Sequence, residues 1–571
     1  MSQRPNPPMH PFRNWLVLCL LVLGLGGLAA RAVYLQVVSS DYLQAQGSMR
    51  HTRVVKDNSH RGMILDRNGV PLAISTPVDS VWAHPATFAQ ERKSWPQLGA
   101  LLEIRAQEFE QLVERHAGRE FMYLRRHVTP ELAERITGLK IEGVGLLREY
   151  RRYYPAGAVA GHALGFTNID DQGQEGLELA YDSWLRAVPG SKRVLKDLHG
   201  NSVEIAESIV LPAPGKDLIV SLDRRVQYLA YRELKAAIAA HAARAGSAVV
   251  LDARTGEVLA LVNEPDFNPN NRASLKSQIF RNRAATDLFE PGSTLKPFTV
   301  AAALQSGKFS AGTLIDTTPG TIQVGQKTIK DARNFGVLSV ARVIEKSSNV
   351  GATKIALALG KKTMWELLRR VGFGAATGSQ LPGESAGMLH PPSDWAPIDR
   401  ASLSFGYGIS VTPLQLARAY LALANDGVVL PLTLLRRESP ADGEQALTPE
   451  AARQVRAMLE LAVGGQGTGV AARVADYRVA GKTGTVHKLT DQGYAEDRYV
   501  AWFAGFAPAT DPRLVMVVTV DEPRRGGYFG GEIAAPVFAR VLAGALRILN
   551  IAPDAPRPEG RLLTARAGGN I

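Results

Sequence analysis

A single cysteine, Cys19, stands in the whole sequence. One thiol cannot make an internal disulfide, an iron–sulfur cluster or a cysteine-rich zinc site. The eleven histidines form no HExxH and no other close ligand spacing, so neither a metal nor another cofactor is expected. Dense Lys/Arg blocks and aromatic–basic stacking motifs are also missing, which argues against a nucleic-acid partner despite a net charge of +12. A surplus of that size fits a chain lying near anionic lipid or an acidic polymer. Apolar residues at 45% and charged residues at 21% are ordinary globular usage, which excludes a disordered, collagenous or multi-span membrane protein for the bulk of the chain. No internal repeat is visible. At about 100–200 residues per domain, the 571 residues predict roughly three or four domains.

The main uncharged apolar run is Trp15 to Ala30. Sixteen residues rise only about 24 Å, short of a hydrocarbon core of about 30 Å. Continuing to Val38 completes a span, with Arg31 snorkelling to the interface. Arg4 and Arg13 precede the run, and the positive-inside rule places residues 1–14 in the cytoplasm and the remainder outside it. The rival is a cleaved signal peptide, since Ala30-Arg31-Ala32 has an A-x-A shape. The apolar character persists past that point, which favours a retained anchor over 15–38. Gly24 to Ala29 imitates a dinucleotide fingerprint, but no strand precedes it and it lies inside the membrane run.

Residues 40–215 are mixed and carry no catalytic constellation; they read as a non-catalytic pedestal. Arg61 to Gly69 reads as a short strand closing on an Asn-Gly turn. Glu91 to His116 has helical apolar spacing. Leu211-Pro212-Ala213-Pro214-Gly215 marks a boundary, and residues 216–552 form the second large domain. There, a helix over Arg224–Ala243 precedes two apolar runs, Ser247–Leu251 and Glu257–Val262, joined as a hairpin. Tyr499–Phe506 and Leu514–Val520 read as buried strands, and Ile533–Ile551 as a closing helix. Strands at both ends with helical sequence between them predict an α+β fold whose antiparallel sheet is built by the two ends. Residues 553–571 read as a disordered tail.

Three short motifs lie within that second domain. Pro291-Gly292-Ser293-Thr294-Leu295-Lys296 places Ser293 and Lys296 one helical turn apart. A serine hydroxyl is a weak nucleophile until a base takes its proton. A lysine serves as that base only if burial or another cation lowers its pKa. Ser347-Ser348-Asn349 is a polar trio between apolar residues, as expected of a cleft wall. Gly481-Lys482-Thr483-Gly484-Thr485 follows a strand-like run; its glycine lets backbone approach a ligand, and its lysine and threonines suit a carboxylate. A P-loop is excluded, because Asp476 stands where its first glycine belongs. Gly383-Glu384-Ser385-Ala386-Gly387 matches a nucleophile elbow, but the strand and helix that an elbow joins are missing around it. Taken singly, each of the three motifs also reads as a cap or polar turn. Their order, S-x-x-K, S-x-N, K-T-G, is the set of penicillin-binding proteins and serine β-lactamases.

With longer stretches such as Asp287–Ser293, Gly406-Tyr407-Gly408, Val411–Gln415 and Gly527–Gly531, the chain resembles a class B penicillin-binding protein, most closely the division-specific type. The resemblance runs from the anchor to about Pro553. It implies a β-lactamase/transpeptidase-like fold, a five-stranded antiparallel sheet flanked by helices, behind an elongated, dimerisation-like pedestal. It implies that Ser293 attacks the D-Ala-D-Ala bond of a peptidoglycan stem and that Lys296 is the base. Ser347 would relay a proton, Asn349 would hold the substrate amide, and Lys482 would help keep Lys296 neutral. Thr483, Gly484 and Thr485 would line the carboxylate site, with the N–H groups of Ser293 and Thr485 as oxyanion hole. Tyr407, Tyr528 and Phe529 would line the substrate cleft. Implied partners are stem peptides as donor and acceptor, β-lactams, a transmembrane lipid-II glycosyltransferase and other division proteins. Val486 departs from the smaller residue that many relatives carry there. A paralogue of modest activity, or a penicillin-binding sensor or scaffold, is the alternative on the same fold.

Overall fold

The computed structural model describes residues 11–41, 52–196, 202–271, 278–439 and 441–556. Residues 1–10 of the expected cytoplasmic tail and 557–571 of the expected disordered tail lie outside the described residues. Helix α1 (Pro11–Val33) continues into a π-helical turn, Tyr34–Val38. Together Phe12–Val38 form a 27-residue apolar helix with no buried residue. At 1.5 Å per residue it is about 40 Å long, enough to cross a hydrocarbon core. The Arg31 guanidinium sits 5.5 Å from the Tyr34 ring centre.

Tertiary contacts divide the chain into two units that do not follow chain order. The first takes the chain up to His60, Pro77–Tyr150 and Ala187–Pro214. Its core is aromatic: Phe88, Trp95 and Phe109 are fully or nearly fully buried, with ring centres 5.2–5.7 Å apart. The helical spacing over 91–116 resolves into two helices, Trp95–Leu102 and Ala106–Arg115. Glu103, at φ +54°, ends the first of them, so the apolar face turns a corner that its periodicity does not announce. A three-stranded antiparallel sheet is made by Thr52–Asp57, Gly190–Lys196 and Ser202–Val210.

The second unit takes Arg61–Thr76, Arg151–Arg186 and everything from Gly215. The predicted Asn-Gly turn is present: Asp66 Oδ1 accepts from Asn68 N and Val70 N, and Gly69 takes φ +83°. Arg61 is buried between Glu178 (2.7 Å) and Asp182 (2.7 Å), and Arg152 joins the same Glu178 at 2.6 Å. From Gly215 onward come α2 (Arg224–Ala240), β1 (Ala245–Asp252), β2 (Val258–Glu264), α3 (Lys296–Gln305), α4 (Val340–Lys346), α5 (Asn349–Ala358), α6 (Pro413–Ala424) and α7 (Pro449–Val463). They are followed by β3 (Ala480–Thr490), β4 (Gly493–Ala507), β5 (Leu514–Asp521) and α8 (Gly530–Ile548). The five strands form one antiparallel sheet in the order β2-β1-β5-β4-β3. Both chain ends of the unit thus supply strands, as the sequence predicts, and β1 of the first pair is zipped to β5 of the last, Val249 opposite Val517.

The sheet is buried on both faces, which is why its strands read as unbroken apolar runs. Alternate side chains divide between two cores. Val249, Leu251, Val515 and Val517 pack with Phe298 of α3 and Tyr420 of α6 on one face. Ala248, Val250, Met516 and Val518 pack with Leu234 of α2 and Phe538 of α8 on the other. Edge strand β3 lies beside the turn that leads into α3, and this junction holds the site.

Candidate active site

Ser293 sits in a 3₁₀ turn, Gly292–Leu295, that runs directly into α3. Two close approaches of backbone fix the turn. Gly292 takes φ +55° and donates to Gly406 O at 3.1 Å. A Cβ on Gly406 would stand 2.1 Å from Gly292 O, so that position admits only glycine. On the strand side, a Cβ on Gly484 would meet Pro291 O at 2.9 Å and Thr294 Cγ2 at 3.0 Å. The second glycine of K-T-G therefore lets β3 close onto the serine turn. The first has a different task from the one expected of it: a Cβ on Gly481 would meet the Phe503 ring at 2.6 Å, so it serves packing within the sheet and not approach to a ligand. Val486, the departure noted above, is buried, and its Cγ1 fills the space beside Gly292.

Two fully buried lysines converge on one hydroxyl. Lys296 Nζ donates to Ser347 Oγ at 3.2 Å, to Ser347 O at 2.5 Å and to Asn349 Oδ1 at 2.7 Å. Lys482 Nζ donates to the same Ser347 Oγ at 2.9 Å and to Thr483 O at 3.3 Å. Burial pushes Lys296 well below the usual lysine range, the positive charge of Lys482 pushes it further, and Asp331 opposes the shift. Burial alone lowers Lys482 to about 7. Removal of two ammonium groups from water is what makes an amine a base near neutral pH.

Ser347 is held by the chain path itself. It takes left-handed angles, φ +58°, as the residue that ends α4, one position before the cap of α5. Ser348 caps α5 with a 2.8 Å bond from Gly351 N. Asp331 anchors the start of α5, directly after Ser347: Ser348 Oγ donates to its Oδ2 at 2.6 Å, and Asn349 N (2.5 Å) and Val350 N (3.0 Å) donate to its Oδ1. An aspartate at a helix start satisfies free N–H groups and the helix dipole together. Asp331 is the residue that motif reading passes over, since it lies seventeen residues from its partner Ser348. Its one sequence signal is a lone carboxylate just after the strand-forming Lys327–Lys330.

On β3, Thr483 Oγ1 shares a 2.8 Å bond with Thr468 Oγ1. Thr485 Oγ1 accepts from Gly530 N at 2.9 Å, which leaves its own O–H free to donate. Ser293, Lys296, Ser347, Asn349, Lys482, Thr483, Gly484 and Thr485 are thus gathered along one seam between β3, α3 and the α4–α5 junction. The three aromatic residues stand around it. Tyr528 stacks on Tyr499 at 4.0 Å and touches Phe529 at 4.4 Å, both rings being exposed at the start of α8. Tyr407 packs edge-on to Phe405 and Tyr494, each at 5.7 Å. The Gly383–Gly387 decoy is a loop in which Glu384 accepts from Thr377 N at 2.7 Å and Ser379 Oγ at 2.8 Å; no strand leads into it.

A serine at a helix start, two pKa-lowered lysines about one hydroxyl, and a strand with free donors have the make-up of a serine acyl-transferase of the penicillin-recognising type. Comparison with known proteins agrees. A family model of the penicillin-binding protein transpeptidase domain matches residues 246–543, and one of the penicillin-binding protein dimerisation domain matches residues 56–220. The chain belongs to the penicillin-binding protein transpeptidase family and, within it, is of class B. It is 41% identical to the probable peptidoglycan D,D-transpeptidase PbpC of Pseudomonas aeruginosa, over 97% of either chain. It is also 41% identical to the peptidoglycan D,D-transpeptidase FtsI of Escherichia coli K12, over 95% of this chain and 93% of that one. The transpeptidase domain of Burkholderia pseudomallei penicillin-binding protein 3 is 44% identical, with a TM-score of 0.55, covering 59% of this chain and 98% of that domain. A peptidoglycan synthetase from Bifidobacterium adolescentis, 24% identical, shares the fold over 89% of this chain and 98% of its own, with a TM-score of 0.70.

Proposed function

We propose that this chain is a monofunctional peptidoglycan D,D-transpeptidase that cross-links stem peptides at the division septum and is a target of β-lactams. The observation that carries the reading is the convergence of Lys296 and Lys482 on Ser347 Oγ at 3.2 and 2.9 Å. Neutral Lys296 takes the Ser293 proton as Oγ attacks the carbonyl of the D-Ala-D-Ala bond. The N–H groups of Ser293 and Thr485 receive the developing oxyanion, a device worth about 3–4 kcal/mol per donor. Ser347 passes a proton to the leaving D-alanine nitrogen, drawing on the lysine bonded to it. Lys482, Thr483 and the free O–H of Thr485 hold the terminal carboxylate, and Asn349 holds the substrate amide. An amine of a second stem then attacks the Ser293 ester, forms the cross-link and returns the proton. Tyr407, Tyr528 and Phe529 flank the bound stem.

The likeness to FtsI over nearly the whole chain supports the septal assignment. The 27-residue apolar helix supports a single-pass inner-membrane protein, with its amino terminus cytoplasmic and its catalytic domain periplasmic. Through anchor and pedestal it would meet a lipid-II-polymerising glycosyltransferase and other division proteins. Exchange of α1 for an unrelated span is expected to lower co-purification with that polymerase; unchanged recovery counts against the anchor as partner surface. Labelling by a fluorescent penicillin tests the chemistry. The adduct should map to Ser293 and vanish in Ser293→Ala, and normal labelling of that variant would sink the nucleophile assignment.

A further inference from the structure

A cavity in the second unit lies away from the catalytic seam. It is an open groove of about 980 Å³ along the exposed face of α2. Its apolar floor is Leu229, Val159 and Ile548, and its rim carries Arg224, Tyr228 and Arg232. These three rim residues follow each other at i, i+4 and i+8, so they form one line about 12 Å long down the helix. Tyr228 is 53% exposed there.

The charges are layered. Asp66 and Asp223 are fully or nearly fully buried, and their oxygens are already occupied by N–H donors, including Arg224 N and Arg225 N at the start of α2. The helix terminus is therefore satisfied from within. The guanidinium groups lie outermost: the side chain of Arg232 is 57% exposed while its partner Glu233 is 12% exposed. Glu233 is also shared with Arg540 at 2.6 Å, so that cluster keeps one surplus positive charge. Arg224 donates through its backbone to Asp66, and its side chain has no hydrogen-bond or ion-pair partner among the described residues. The groove thus presents cations spaced two helical turns apart above an apolar floor.

We propose that this groove docks an acidic amphipathic helix of a partner protein, with carboxylates two turns apart on Arg224 and Arg232 and apolar side chains between them over Tyr228 and Leu229. A helix laid along a groove uses this spacing, and the volume exceeds what one side chain fills. A rim of arginines about an aromatic residue is also the composition from which interface hot spots are drawn.

The test uses the full chain in neutral-lipid nanodiscs. The probe is a fluorescein-labelled helical peptide of about 16 residues, with glutamates two turns apart and leucines between them; a twin carries glutamine for glutamate. Fluorescence anisotropy should show saturable binding of the acidic peptide, weakened by salt, with the glutamine twin about tenfold weaker. The double variant Arg224→Glu, Arg232→Glu should lose about tenfold for the acidic peptide and gain for a lysine version. Tyr228→Ala should weaken both peptides, and it decides the matter if melting shows the double variant unfolded. Equal binding of the twin, unchanged affinity in the variants, or no saturable binding overturns the proposal. So does displacement of the peptide by short-chain phosphatidylglycerol that itself binds the groove, which would make it a lipid site.

Discussion

Tyr494 Oη donates a 2.8 Å hydrogen bond to Glu290 Oε1 across 204 positions of sequence. The bond ties the β3–β4 hairpin to the segment that enters the serine turn, and Gly408 N donates to the same oxygen at 2.8 Å. Glu290 is nearly buried, its Oε2 has no hydrogen-bond partner among the described residues, and burial raises its pKa.

Tyr494→Phe keeps the ring against Tyr407 and removes only the tie. The second-order rate constant for penicillin acylation should fall about fivefold, the roughly 1 kcal/mol of an ordinary hydrogen bond. Acylation at the unaltered rate would show that the hairpin is held by packing alone.

The acylation rate should rise with pH along a limb set by the lysine pair, below the ordinary lysine range. Burial is the largest cause of the shift in Lys296, and the charge of Lys482 is the second. Lys482→Gln removes that charge, so the limb should move to higher pH as well as fall in amplitude. A limb that stays in place, or moves to lower pH, would show that the two amines do not interact electrostatically.

Two buried groups should give stability opposite pH trends. Lys482 titrates at about 7 folded against 10.5 as a free side chain. Between those values the unfolded chain holds the extra proton, so this group's contribution to stability rises with pH across that window. Lys482→Met should therefore raise the melting temperature most below pH 7. Glu264 is raised to about 7 by burial, with nearby Asp266 adding to the shift, against 4.5 as a free side chain. There the folded chain holds the extra proton, and stability falls as pH rises from 4.5 to 7. Glu264→Gln should stabilise by up to roughly 3 kcal/mol above pH 7 and by much less at pH 5, as scanning calorimetry at the two values would reveal.

Asp331→Ala strips three donors of their common acceptor. Stability should drop by about 1–2 kcal/mol, the usual cost of a lost helix cap. The acylation rate should drop further than that, because Ser347 and Asn349 lose their placement. A variant that melts early but acylates normally would confine Asp331 to a structural part.

Much of this was legible in the sequence. The hairpin of β1 and β2 and the strands β4 and β5 are apolar on both faces, so short continuous hydrophobic runs rich in β-branched residues and bounded by turn residues mark them. The three motifs carry side chains whose chemistry is local to a few residues. What eluded reading depends on distance. Asp331 acts on a cap seventeen residues away, Glu290 on a tyrosine 204 residues away, and nothing in either neighbourhood encodes the partner. The separate tasks of Gly481 and Gly484 are also invisible, because each is set by what packs opposite: the Phe503 ring for one, the serine turn for the other.

The pairing of β1 with β5 has a consequence for how the enzyme is made. Ala245–Asp252 waits for Leu514–Asp521, and β3, which carries Lys482, reaches the sheet only through β4 and β5. Contacts so far apart in sequence are slow to form and cannot precede the emergence of the last strand. A growing chain therefore holds Ser293 and Lys296 before Lys482 has joined them. On the chemistry proposed above, the order of synthesis keeps Ser293 from the full lysine pair until the last strand is made.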